Sequence, residues 1–194
     1  MRALSTFLLF FVVCTSFAAA QSDIANWRKE LLADPLLSKA EQKAQLKKYD
    51  LGRLWTSTED TSVFGFIGSN YRRIRVKVLT AKKAGGNSLI YDITGASLVG
   101  DTFRRFEGKI TVANVRMFKS IEPEMAAEQI KKRGILIGDY TFAEEGSGPH
   151  SGTFSGTFYT AFYINDAEEV QYDDLEDGAD AFRNNQFAGR WRSK

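Results

Sequence analysis

From Val63 onward apolar residues fall on every second position, the repeat of a pleated strand with one face turned to a core. Arg73-Ile74-Arg75-Val76-Lys77-Val78 puts Ile74, Val76 and Val78 on one face and three cations on the other. Arg105 to Val112 does the same, opposing Phe106, Ile110 and Val112 to Arg105, Glu107, Lys109 and Thr111. Val63 to Gly68 and Leu89 to Thr94 read as further strands, with Gly85-Gly86-Asn87 as a turn and Gly95 and Gly100 as points where the chain bends. The strongest signal lies between Gly134 and Asn165. Gly134 to Phe142 and Thr153 to Ile164 are two strand segments separated by the turn-rich loop Glu145 to Gly152, a long hairpin. In the second segment Phe154, Phe158, Phe162 and Ile164 share a face, with Ser155, Thr157 and Tyr159 opposite.

The period is different in three places. Ile24, Trp27 and Leu31 lie at i, i+3 and i+7 behind Ser22 or Asp23, an amphipathic helix that Asp34-Pro35 stops. Ser38-Lys39-Ala40-Glu41 matches a capping box and predicts a second helix to about Tyr49, the two forming an exposed helical pair. Glu124 to Lys131, with Pro123 in front and Gly134 behind, predicts one helix crossing between the strands. After the long hairpin comes an acidic loop, Asp173 to Asp180. Asn184 to Trp191 then reads as a closing strand, with Phe187, Gly189 and Trp191 on one face and Gln186 and Arg190 on the other. The expected fold is mainly β: an antiparallel meander forming a partly closed barrel or sandwich, with N-terminal helices and one crossing helix.

The first 20 residues change what the chain is for. Arg2, the apolar run Leu8 to Val13 and the small residues Ala18-Ala19-Ala20 form the pattern of a signal peptide, too short and too interrupted for a membrane span. The expected organisation is therefore a signal peptide over 1–20, a helical segment over 21–60 and an antiparallel β domain over 61–194. The product is exported, to the periplasm, the cell surface or the medium. Cys14, the sole cysteine, falls in the leader, so no disulfide is expected and stability rests on burial. Without Arg2 the formal net charge drops from +2 to +1, far from the basic excess that binding nucleic acid demands.

Catalytic and metal chemistry find little support in the spacing. The single histidine, His150, sits in a Gly/Pro/Ser loop with no orienting group, so a Ser-His-Asp site with Ser147 or Ser151 is not expected, nor is a zinc or copper site. Asp173 and Asp177 stand at positions one and five of a calcium loop, a weak candidate because Leu175 and Asn184 occupy ligand positions. Asp92, Glu107 and Asp139 are carboxylates on strands, all assigned to the outward face. No cofactor motif is present. Phe154, Phe158, Phe162, Tyr140 and Phe142 are expected in the core. Tyr91, Tyr159, Tyr163 and Trp191 are the candidate ligand-binding residues: the three tyrosines are expected to face out and stack on a sugar or anchor a partner, while Trp191 reads first as core of the closing strand, with an exposed sugar-stacking platform as its alternative.

Some segments are familiar. Phe66-Ile67-Gly68-Ser69-Asn70-Tyr71-Arg72-Arg73, Gly152 to Phe158 with Phe162-Tyr163-Ile164, and Asn184 to Trp191 resemble uncharacterised exported proteins of Bacteroidetes-type bacteria. The resemblance implies a shared β-rich fold and export, and no activity. The run of meandering strands and Gly189-Arg190-Trp191 are also similar to calycin-type barrels, which implies a carrier of a small hydrophobic ligand. The leading expectation is an exported, non-catalytic binding or surface-interaction protein whose partner is a protein, a glycan or a small hydrophobic ligand. A calycin-like carrier is the alternative, and a hydrolase using strand-borne carboxylates is a third reading. An open apolar cavity of about 300 to 1,000 Å³ is what the carrier requires.

Overall fold

The computed structural model describes residues 23–57, 64–68, 70–86, 88–121, 129–148, 150–175 and 184–194. The chain divides into two units, Met1–Asp34 and Pro35–Lys194. In the first, residues 23–32 form helix α1, along which Ile24, Trp27 and Leu31 are half-buried. The helix closes where the Ala33 amide donates to the Lys29 and Glu30 carbonyls, immediately before Asp34-Pro35.

The second unit is an antiparallel sheet of eight strands: β1 (Phe64–Ile67), β2 (Arg72–Lys83), β3 (Ile90–Val99), β4 (Thr102–Met117), β5 (Ile130–Glu144), β6 (Gly152–Asn165), β7 (Val170–Tyr172) and β8 (Gln186–Ser193). The first seven are neighbours in chain order, and β8 returns to pair with β6. The sheet curls into a half-barrel. Bulges at Val78/Thr80 in β2 and Val112/Asn114 in β4 bend the long strands. The concave face adds a second device, a glycine opposite an aromatic residue on the next strand: Gly95 with Phe106, Gly108 with Phe142, Gly134 with Phe162, Gly138 with Phe158, and Gly156 with Tyr140. At Gly138 a Cβ would collide with the Thr111 carbonyl oxygen and lie 2.6 Å from Phe158 Cε1, so the ring fills the place of a side chain and lets the strands coil inward.

The alternation assigns the concave face correctly. Ile74, Val78, Phe106, Ile110, Val112, Tyr140, Phe142, Phe158, Phe162 and Ile164 are all buried. The convex face is only partly solvated, because Ile135, Ile137, Thr157 and Ala161 on β5 and β6 are buried as well.

The expected exposed helical pair is corrected. Its second member shrinks to α2 (Lys43–Leu46), with Gln42 at the N-cap and no side-chain cap bond, and a further short helix, α3 (Arg53–Thr56), follows. Glu41 is shared between the helix and the sheet: its Oε1 accepts the Lys43 amide at the start of α2 at 3.1 Å, and β4, which runs beyond its last rung with β3 at Thr111, leaves backbone groups for it to satisfy as well. Its Oε1 accepts the Val115 amide at 2.7 Å, while the Ser38 and Gln42 amides donate to the Met117 and Val115 carbonyls. Leu46, Leu51, Leu54 and Trp55 then fill one part of the concave side, each at most 2% exposed. An open half-barrel needs such a cover, and this one brings its own polar partners. Trp55 Nε1 donates to Thr160 Oγ1 at 3.1 Å, Thr160 donates to Asn185 Oδ1 at 2.8 Å, and Asn185 Nδ2 donates to the Leu54 carbonyl at 2.8 Å. The expected crossing helix is corrected where it is described: Ile130 and Lys131 open β5, and residues 122–128 lie outside the described residues.

Candidate ligand cleft

The outer edge of β6 is shared. β8 pairs with Gly152–Tyr159 and β7 with Phe162–Ile164, leaving a gap at Thr160 and Ala161. Asn184 closes it with its side chain, whose Oδ1 accepts the Ala161 amide at 2.7 Å and whose Nδ2 donates to the Ala161 carbonyl at 3.0 Å, an amide standing in for a strand. Asn185, at φ +49, then turns the backbone into β8 and sends its own amide into the buried network. The two asparagines expected at the head of the closing strand are thus its connector, and the strand proper starts at Gln186.

β8 carries Phe187, Gly189 and Trp191 toward the concave side, as the alternation predicts. Across from them stand β1 and β2, and between lies a partly open cavity of about 360 Å³. Ile67, Ile74 and Val76 form one wall, Phe187 and Trp191 the other, and Phe106, Tyr140, Phe142 and Phe154 the floor. The floor is one aromatic surface: Phe106 stacks on Phe142 at 4.7 Å, Tyr140 lies 5.0 Å from Phe142, and Phe187 meets Tyr140 edge-on at 5.2 Å.

Two polar groups set its geometry. Glu144 is 4% exposed, yet both oxygens are engaged: Oε1 accepts Ser97 Oγ at 2.7 Å, and Oε2 accepts the Gly152 amide at 3.0 Å and Trp191 Nε1 at 2.9 Å. A carboxylate held from β3, β6 and β8 fixes the Trp191 indole against the wall. The second group is Tyr140, 8% exposed, in register with Gly156 on β6 and through it with Gly189 on β8. A side chain at Gly189 would collide with the Tyr140 hydroxyl, so the missing Cβ there is what gives the phenol room. Among the described residues no group hydrogen-bonds that hydroxyl. Neither residue was singled out as a site in the sequence, although the alternation already puts Glu144 on the face of Tyr140 and Phe142.

The candidate recognition residues do not come together. Trp191 lines the cleft. Tyr91, expected to face out, is corrected: it is fully buried, and its hydroxyl accepts the Leu51 amide at 2.9 Å. Tyr159 and Tyr163 are half-buried on the convex face, opposite Ile137 and Arg133 of β5. Asp173, expected in a solvated acidic loop, is also corrected, since it is fully buried and takes Arg133 Nε at 2.5 Å; Asp177 lies outside the described residues. Among the described residues no three His, Cys, Asp or Glu side chains gather as metal ligands, and no helix is long and apolar enough to cross a membrane. His150 is exposed, and Asp92, Glu107 and Asp139 are exposed on the convex face, with Asp92 paired to Lys109. The chain matches no protein-family model, no curated protein and no solved structure.

Burial gives two tyrosines a distinct alkaline behaviour. It pushes the phenols of Tyr91 and Tyr140 up to about 12, against 10.0 for an ordinary tyrosine. The neutral form is favoured in the folded state, so the associated stability is fully present below pH 10.0 and is lost as the pH rises through about 12. A near-ultraviolet absorbance titration of the folded protein should leave Tyr91 and Tyr140 protonated until about 12. Complete ionisation of every tyrosine with an ordinary midpoint, in protein still folded by circular dichroism, would contradict the burial described here.

Proposed function

We propose that this is an exported, non-catalytic binding protein that holds a small, mainly apolar ligand in the cleft between β1–β2 and β8. The observation that carries this reading is the cavity of about 360 Å³ floored by four aromatic rings, within the size range of small-molecule sites. It differs from a calycin-type carrier in where the space lies. Trp55 and the leucines of residues 46–54 fill part of the concave face, and the open space left lies at the seam between the first and last strands. A hydrolase using strand-borne carboxylates fits less well, because Asp92, Glu107 and Asp139 are on the convex face and Glu144 has both oxygens engaged. The apolar leader supports the assignment to an exported protein.

Ligand-observed magnetic resonance with small aromatic probes tests the reading. Wild-type protein should broaden their signals, and Phe154→Trp, which adds volume on the cleft floor, should abolish the effect while the melting temperature stays near that of the wild type. Absence of binding to wild type, or undiminished binding to the filled variant, overturns the cleft assignment.

A further inference from the structure

We infer that the cleft selects an uncharged, ring-bearing ligand with one oxygen placed to hydrogen-bond the Tyr140 hydroxyl; this rests on the cleft being a binding site. Tyr140 is more than nine-tenths buried and lines the cavity, and among the described residues its hydroxyl has no hydrogen-bond partner. The ring is packed but its oxygen is not sealed from solvent, so Tyr140 offers the cavity a hydroxyl free to hydrogen-bond whatever enters it. The fold maintains this arrangement, since Gly156 and Gly189, in register with Tyr140, supply no side chain that would cover the oxygen.

The surroundings define the rest of the ligand. Phe142 at 5.0 Å and Phe187 at 5.2 Å flank the Tyr140 ring, the latter edge-on at 88°, so the cavity wall around the phenol is aromatic and favours a flat apolar group. Beside the Tyr140 ring, Phe142 and Phe187 offer a charged group no counter-ion. Arg190 borders the cavity, but its register opposite Ser155 turns its side chain to the convex face. The phenol stays neutral up to about 12, so it recognises by hydrogen bonding and not by charge.

Toluene and p-cresol, alike except for the hydroxyl, are the probes. Calorimetry or ligand-observed magnetic resonance on the full chain should find p-cresol bound on the order of tenfold more tightly, the contribution of one neutral hydrogen bond to the Tyr140 hydroxyl. In Tyr140→Phe the preference should vanish, with toluene affinity unchanged and the melting temperature near that of the wild type, because the hydroxyl makes no hydrogen bond within the described residues. Equal affinity of wild type for the two probes, or a preference that survives Tyr140→Phe, overturns the role of Tyr140 and leaves the cleft as a site. Failure of both probes to bind wild type overturns the cleft reading and this inference together.

Discussion

Removal of residues 187–194 is expected to abolish cooperative unfolding and to leave a chain that aggregates. The segment supplies most of β8, whose register with β6 runs from Gly152↔Ser193 to Tyr159↔Gln186. Without it the N-terminal half of β6 becomes an open edge, a row of unpaired amides and carbonyls ready to template another chain. Phe187 and Trp191, both half-buried, leave with it; full burial of such a ring contributes about 1.5 to 3 kcal/mol, so the loss is a sizeable part of a total stability of about 5 to 15 kcal/mol for an ordinary domain. The loss spreads further, because Glu144 keeps its burial but loses the Trp191 donor, and Tyr140 and Phe158 lose the Phe187 ring above them. The terminus is also tied down at its last residue, whose amide donates to the Ser151 carbonyl at 3.0 Å and whose Nζ donates to the Gly146 carbonyl at 2.9 Å. Near-ultraviolet circular dichroism during heating measures the effect. A truncated protein that stays soluble and melts cooperatively at the full-length temperature would make β8 an accessory.

Phe158→Ala is expected to cost about 3 to 5 kcal/mol. The ring is fully buried, stands edge-on to Trp55 at 5.8 Å, and covers Gly138, which has no side chain of its own to move into the space. Its other neighbour, Phe187 at 6.4 Å, is held in the β8 ladder. A cavity bounded by a glycine backbone and by rings fixed in ladders relaxes little, which puts the cost toward the upper part of the range for large-to-small substitutions. Chemical denaturation reads it as a lower midpoint at unchanged slope. An unchanged midpoint would mean that the concave and convex faces of the β5–β6 hairpin have been exchanged.

Much of the fold was legible in the alternation. Ile74, Val78, Phe106, Ile110, Val112, Phe158 and Phe162 are where the period of two puts them, because side-chain direction along a strand is a local property of the backbone. The two N-terminal helices were read less well: α1 follows its stripe and its proline stop, but the second shrinks to one turn, and Glu41, which still accepts the Lys43 amide there, is shared with the overhanging edge of β4. That sharing links residues 74 positions apart, and no local pattern contains it.

What the sequence by itself determined is which side chains share a face, where the chain turns, and that the last segment is a strand with Phe187, Gly189 and Trp191 together. What only the tertiary structure decided is what each face meets. Tyr91 reads like Tyr159 and Tyr163, an aromatic in a strand, and it is buried because residues 43–56 fold back over the concave side. Asp173 is an acid in an acidic run, and it is buried because Arg133 of β5 reaches it. The cleft exists because curling brings β1 and β2 opposite β8, strands from the two ends of the domain, with a glycine at 189 that leaves the Tyr140 hydroxyl uncovered. Alternation fixes direction within a strand, but curvature and closure come from the sum of bulges, glycine–aromatic pairs and packing over the whole sheet, and so does the site.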